Sequence, residues 1–397
     1  MEKIVLKNVC KIFGDSPKKA LAMLKDGQSK DQIQAKTGAV VGVNNASFDV
    51  KEGEIVVVMG LSGSGKSTLV RCINRLFEPT SGEILVDGQD VRKLSKDQLR
   101  QFRREKFGMV FQNFALFPHR TVIHNVEFGL EIQGAEQGLR REKAEQALEL
   151  VGLKGWGEKF PSELSGGMQQ RVGLARALAL DPDILLMDEA FSALDPLIRR
   201  DMQDELISLQ QTMRKTIVFI SHDLDEALKL GDRIVLMKDG AVVQIGTPED
   251  ILMNPSNEYV AKFVEEVDIT KVLTAETIMK KSQDVAYLTA DGPRTAMRKM
   301  KNNAIASLFV LDKDNSLQGI VFANEVAKLI EKGEKNLDSV IHRDISTVSP
   351  DTSASDLFAV MQDISYPVAV VDENNKLKGI IVKGILMAAI AERGGNI

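Results

Sequence analysis

Residues 60–67 read GLSGSGKS, and residues 184–189 read ILLMDE. In the first stretch Gly60, Ser62, Gly63 and Gly65 precede Lys66, Ser67 and Thr68 directly after the apolar run Ile55–Met59. Glycines at this spacing let backbone amides close around phosphate oxygens, and the helix predicted to follow (TLVRCINRL) adds positive potential at its first turn. The spacing assigns Lys66 to the β- and γ-phosphates and Ser67 to Mg²⁺. In the second stretch an apolar run ends in two acids. Asp188 is placed to hold Mg²⁺, and Glu189 to orient or deprotonate an attacking water, a role worth about 10²–10⁴-fold in rate. Together these residues imply cleavage of a nucleoside triphosphate.

Such groups need rigid elements behind them. Ile55–Met59, Ile184–Met187, Ile217–Ile220 and Ile234–Met237 are short, rich in β-branched residues and bounded by glycine or charge, as strands buried on both faces are. Arg140–Val151 and Leu197–Met213 carry helical spacing between them. Alternation of this kind predicts an α/β domain with a mostly parallel sheet. Between Gly14 and Gly42 runs an irregular stretch read as a helix over Ala20–Lys25, a stop at Gly27, and a second helix capped near Ser29 with Gln32 three residues on.

At 397 residues, with 44% hydrophobic and 27% charged residues, the chain is globular in composition and long enough for two or three domains. A boundary is expected near Glu265–Lys271, where the pattern turns charged. Beyond it VLDKDNSLQGI (310–320) matches VVDENNKLKGI (370–380) with six identities in eleven positions at an offset of sixty. AETIM (275–279) pairs with LDSVI (337–341), and AMRKM (296–300) with LFAVM (357–361), in the same order. Two units this short bury little core separately, so they are expected to pack on each other.

LSGGMQQR at 164–171 resembles the signature of ATP-binding-cassette (ABC) ATPases, and other motifs fall in register around it. Gln112 in VFQNFALFPH resembles the Q-loop, Ser192–Pro196 with Asp195 the D-loop, His222 in ISHD the switch histidine, and Phe13 in KIFG the aromatic that stacks on adenine. The resemblance implies an ABC-type P-loop NTPase domain over 1–264, with the insertion at about 15–41 and a helical subdomain at about 110–170. It implies ATP and Mg²⁺ as ligands, with Gln112 joining Ser67 and Asp188 at the metal and linking it to a membrane partner. His222 would hold the γ-phosphate. It also implies a homodimer sandwiching two ATP molecules, with Ser165, Gly166 and Gly167 of one protomer, at a helix N-terminus, against the γ-phosphate bound by the other.

The repeat resembles a pair of cystathionine-β-synthase (CBS) domains, an α+β tandem module expected at 273–397 (copies at about 273–331 and 336–394) after a linker at 265–272. Insertion and repeat together resemble the ATPase subunits of glycine betaine/proline betaine importers. That implies import of a compatible solute, most simply glycine betaine, with a transmembrane permease and an extracytoplasmic solute-binding protein or domain as partners. The place implied is the cytoplasmic face of the membrane. The CBS ribose-phosphate pattern G-h-h-[ST]-x-x-[DN] is broken here. Phe322 and Val382 replace the hydroxyl residue, and the acid is Glu325 in one copy and absent from the other. Usual AMP or ATP sensing is therefore not expected; cyclic di-AMP at a dimer seam, touching Tyr366 and Pro367, stays open.

Other features narrow the classes. A net charge of −5 gives no reason to expect nucleic acid. Cys10 and Cys72 form no metal or disulfide spacing. Neither a signal peptide nor an eighteen-residue apolar run is seen, so a cytosolic chain is expected. Two basic clusters, Arg100, Arg103, Arg104 and Lys106, and Arg140, Arg141 and Lys143, are solvated helix faces or contacts to anionic lipid. Competing readings are the ATPase of another importer (methionine, polyamine, choline or carnitine) and a soluble non-transport ABC protein.

Overall fold

The computed structural model describes residues 1–112, 114–265, 273–281, 284–362 and 364–391. The chain divides into two compact units, Met1–Val267 and Asp268–Ile397. The linker expected at 265–272 lies, beyond Glu265, outside the described residues, as does the second repeat beyond residue 391.

In the first unit the strands are β1 (Glu2–Phe13), β2 (Val40–Lys51), β3 (Ile55–Met59), β4 (Ser81–Val86), β5 (Gln89–Asp90), β6 (Phe107–Phe111), β7 (Ile184–Asp188), β8 (Thr216–Ser221), β9 (Arg233–Lys238) and β10 (Ala241–Gly246). Two sheets result. One has order β10-β9-β3-β8-β7-β6 and is parallel except for the antiparallel edge strand β10. Its central strands β3, β7 and β8 are buried at every residue and apolar throughout except at the ends of β7 (Asp188) and β8 (Thr216, Ser221). The other, β2-β1-β4-β5, is antiparallel. The long strands β1 and β2 bury roughly alternate residues, the mark of a sheet with one wet face. This second sheet was not foreseen, because its polar positions, spaced by bulges, hide the period.

The helices of this unit are α1 (Pro17–Lys25), α2 (Lys30–Thr37), α3 (Lys66–Ile73), α4 (Lys96–Lys106), α5 (Val122–Gln133), α6 (Gln137–Leu150), α7 (Gly166–Leu178), α8 (Pro196–Met213), α9 (Leu224–Leu230), α10 (Pro248–Met253) and α11 (Glu258–Val264). Leu69, Val70 and Ile73 of α3 join Leu6, Phe48, Val56, Leu186 and Val218 in one core, so this helix is locked between the sheets. It stops at Ile73, short of the expected TLVRCINRL, because Arg75 turns left-handed (φ 53°) and donates to the carbonyls of Val91 and Leu94. The insertion folds as α1 and α2. The first begins at Pro17, earlier than expected, since proline suits a first helical turn. The second has a capping box between Ser29 and Gln32. Ile12, Ala20, Met23, Ile33, Ala39 and Val41 form a small core that holds the pair onto β1 and β2. Cys10 and Cys72 are free and buried; burial pushes the Cys72 thiol up to about 12, leaving it inert.

The second unit contains two three-stranded sheets: β11 (Val285–Tyr287), β12 (Ser307–Leu311) and β13 (Leu317–Phe322), then β14 (Thr347–Val348), β15 (Val368–Val371) and β16 (Leu377–Ile381). The matching segments of sequence form the matching hairpins β12–β13 and β15–β16, and AMRKM and LFAVM lie in helices Pro293–Asn302 and Ala354–Gln362. The copies do pack together. Phe309, Leu311, Leu317 and Ile320 share a cluster with Ala369, Val371 and Ile380. The hairpin turns bond reciprocally: Leu317 N donates to Asn375 O (2.9 Å), and Leu377 N to Asn315 O (3.2 Å).

Candidate active site

Parallel strands place the residues that follow them at one edge of the sheet, where ligands of open α/β folds bind. The loop after β3 turns back through residues 60–65 with Gly60 at φ 144° and Gly65 at φ 100°, conformations closed to side-chain-bearing residues. A Cβ on Gly60 would strike the Met237 carbonyl, and one on Gly65 the Gly42 carbonyl. Gly63 is also left-handed and faces open space, while Ser62 is exposed. Gly240 N donates to Ser64 O (2.9 Å) and Asn44 N to Gly240 O (2.7 Å), so backbone from β2 and the β9–β10 turn braces the loop from behind.

Lys66 opens α3 and is buried, its Nζ donating to Gly60 O at 2.8 Å and Leu61 O at 3.2 Å. Burial pushes its pKa below the usual lysine range against the opposing pull of Glu189 and Asp188. An incoming phosphate would supply the negative charge this ammonium lacks at close range. Ser67 Oγ donates to Asp188 Oδ1 (2.9 Å), and Arg71 Nη2 to Asp188 Oδ2 (3.1 Å). A hydroxyl and a carboxylate already in contact form a hard oxygen pair that fits Mg²⁺, which takes one or two carboxylates and fills its remaining positions from phosphates and water.

Glu189 follows β7 in a left-handed turn (φ 48°). Gln112, just past β6, donates from Nε2 to Glu189 Oε2 and to Ser192 Oγ, both at 3.1 Å. His222, just past β8, brings Nδ1 to 3.6 Å from the same Glu189 oxygen. Three strand ends therefore bring their side chains together on one carboxylate. Behind His222, Ser221 Oγ bonds Glu226, which Gln203 also contacts (3.1 Å); burial pushes the Glu226 carboxyl up.

Phe13 ends β1 with its ring edge-on to Phe77 (5.3 Å between centroids) and Lys11 Nζ 4.7 Å from its centre. A Cβ on Gly42 would lie 2.8 Å from the Phe13 ring and 3.0 Å from Thr68, so this glycine leaves room for the aromatic beside the first turn of α3. Ser165 caps α7 by accepting from Met168 N (3.3 Å), and Gly166 and Gly167 form its first turn. No hydrogen bond or ion pair among the described residues joins Ser165–Gly167 to residues 60–68 of the same chain. Asp195 caps α8, accepting from Leu197 N (3.2 Å) and Ile198 N (3.1 Å), a local duty that by itself accounts for an aspartate there.

Gly42, Gly240 and Arg71 were missed from the sequence, and Ser192 was read only as the first residue of the D-loop. Arg71 alone carried a signal, since four residues after Ser67 on a helix it shares that residue's face. In the second unit Glu325 is engaged by His342 (Oε2 to Nε2, 2.8 Å). The Tyr366 ring packs against Phe322 (6.1 Å), whereas Pro367 lines a cavity of about 740 Å³ with Lys280, Lys281, Ser307, Ser365 and Val382.

A family model described as ABC transporter matches residues 43–192, and one described as CBS domain matches 275–332 and 337–392. The glycine betaine transport ATP-binding protein OpuAA of Bacillus subtilis is 57% identical over 98% of this chain and 92% of its own length. The glycine betaine/carnitine transport ATP-binding protein GbuA of Listeria monocytogenes is 53% identical over all of both chains. The dimeric structure of a bacterial ABC transporter cassette matches 62% of this chain and 98% of its own at 36% identity, with a TM-score of 0.52; a post-hydrolysis dimer of that cassette holds ADP and Pi. With full-length identity of this order on top of the cassette fold and its motifs, the chain belongs to the ABC transporter family as an ATP-binding subunit with tandem CBS domains.

Proposed function

We propose that this chain hydrolyses ATP to drive uptake of a compatible solute, glycine betaine, working as a head-to-tail homodimer on membrane permease subunits fed by an extracytoplasmic solute-binding partner. The observation that carries the chemistry is the meeting of Gln112 and His222 on Glu189, beside Ser67 and Asp188. Lys66 and the loop amides hold the β- and γ-phosphates; Ser67, Asp188 and Gln112 hold Mg²⁺, which when bound neutralises phosphate oxygens. Glu189 takes a proton from water as its oxygen bonds to the γ-phosphorus and the bond to the β-bridging oxygen breaks, releasing ADP and phosphate. His222 holds the γ-phosphate, Phe13 stacks on adenine, and Thr68 lines the phosphate path. Ser165–Gly167 and Asp195 act across the dimer, α7 turning its positive end to the partner's nucleotide. The names of the two relatives support the solute.

No described helix is long and apolar enough to cross a membrane; the cytoplasmic face of the membrane is the place this role requires. A lipid contact rests on fewer charges than the sequence suggested. Lys106 is paired with Asp87 and Asp183, Arg103 donates to the carbonyls of Asn74 and Arg75, and Arg141 pairs with Glu145 and Glu158. The cavity with Lys280 and Lys281 at its rim supports a second ligand, cyclic di-AMP, on the CBS pair.

The test is ATP-dependent uptake in vesicles holding this chain and its membrane partner, at low and high internal salt, with and without cyclic di-AMP. Betaine uptake that rises with salt and falls with the dinucleotide is the expected result. ATP turnover with choline or carnitine uptake but no betaine uptake would overturn the solute.

A further inference from the structure

Arg176, in the last turn of α7, has no carboxylate facing it among the described residues. Its half-buried guanidinium donates instead to two successive carbonyls, from Nη1 to Ala115 O (2.5 Å) and from Nη2 to Phe114 O (3.0 Å). Removal from water lowers its pKa, with no opposing charge. Phe114 and Ala115 are both left-handed, at φ 53° and 50°. A left-handed residue without glycine's freedom is strained and persists only where its surroundings impose it. The imposing group here is a planar fork whose donors match two adjacent carbonyls, a geometry lysine cannot copy.

The same helix follows this loop along its length. A Cβ on Gly173 would lie 3.6 Å from Phe114 O, and one on Gly166 3.8 Å from the Phe114 ring. The loop begins at Gln112, whose amide rests on Glu189 and Ser192. One rigid helix thus carries Ser165–Gly167 at its start and grips the Gln112 loop near its end.

We propose that Arg176 is a positioning residue that clamps the loop after Gln112, so that displacement of α7 is passed to the Gln112 amide and through it to the metal site and Glu189. This rests on the roles of Gln112 and Glu189 proposed above. Arg176→Met removes both donors; Arg176→Lys keeps the charge and can reach one carbonyl.

The experiment uses the assembled transporter in vesicles and compares these variants with Gln112→Ala and with Arg176→Met/Gln112→Ala. It reads kcat, KM for ATP, the Mg²⁺ concentration at half-maximal rate, solute moved per ATP, and the thermal midpoint. Arg176→Met is expected to lower kcat at least about tenfold, as misplacement of a catalytic group does. It should also raise the Mg²⁺ requirement severalfold and leave KM for ATP within about twofold. Arg176→Lys falls between, and the double variant is no worse than Gln112→Ala, as for residues acting through one another. A lowered thermal midpoint with kcat and Mg²⁺ dependence unchanged per folded molecule, in Arg176→Met or, should that variant not fold, in Arg176→Lys, overturns the inference while Gln112→Ala still shifts them. Unchanged Mg²⁺ dependence in Gln112→Ala overturns the reading of Gln112, and the clamp with it.

Discussion

In the cassette, four loops leave one edge of one parallel sheet and each delivers a different group: Lys66 and Ser67 after β3, Gln112 after β6, Asp188 and Glu189 at the end of β7, His222 after β8. In the CBS unit, two hairpins deliver the same backbone twice. Asp312 accepts from the amides of Asp314 and Ser316, as Asp372 does from those of Asn374 and Lys376, and Asn315 and Asn375 are both left-handed. Past the hairpins the copies part. Glu325 meets His342, while the second copy offers Lys383, Gly384 and Ile385 at the same stage. A turn needs few residues to specify it, so a fold can repeat while the side chains past it do not.

The sharpest way to test this contrast is to remove one carboxylate from each unit. Glu189→Gln should lower ATP turnover about 10²–10⁴-fold with the thermal midpoint nearly unmoved, read by steady-state phosphate release and calorimetry. Glu325→Gln should leave turnover unchanged and cost about 1 kcal/mol, since its pair with His342 is partly solvated. A tenfold loss of turnover in Glu325→Gln would break the comparison.

Glycines give the next largest difference. Gly65→Ala combines a left-handed backbone with collision against a carbonyl, and should abolish nucleotide binding measured by fluorescence titration. Gly379→Ala, with no left-handed backbone, meets the Met279 side chain at 2.7 Å and the Lys280 carbonyl at 3.1 Å, and should lower the thermal midpoint while leaving nucleotide binding unchanged.

Acid should separate the units through their carboxylates. Lys106 holds Asp183 below the usual aspartate range; burial would raise Asp87, but Lys106 and Lys3 hold it low too. Depressed values of this kind add stability that is fully present above the ordinary value of 3.8 and lost as pH falls through the folded values. Melting of Lys106→Met followed from pH 5 to 2 should show a shallower acid decline than the parent. Asp372 is also depressed, but chiefly by the Lys376 amide rather than by Lys378, so Lys378→Met should alter the decline little.

The smallest effect is expected in the insertion. Ser29→Ala removes the cap of α2 and should cost about 1 kcal/mol, measured by denaturant unfolding, without changing turnover.

Much of the site was legible because its groups follow buried strands. Apolar runs such as IVVVM and ILLMD mark the strand ends, and the residues just past them share an edge by topology. The insertion helices were legible from Ser29, Gln32 and Gly27, whose signals act within one turn. The antiparallel sheet was not, because bulges at Leu6–Val9 and Val9–Lys11 interrupt its period.

The sequence by itself determined the phosphate loop, the paired acids, the capping box and the twofold repeat, all set by interactions within a few residues or by direct identity. Only the tertiary structure decided that Gly42 leaves room for Phe13 beside Thr68, that Gln112 and His222 share one oxygen of Glu189, and that Arg176 grips the loop after Gln112. Each of these joins residues far apart in the chain, and spacing along a chain carries no record of which distant backbone a side chain will meet once the core has closed.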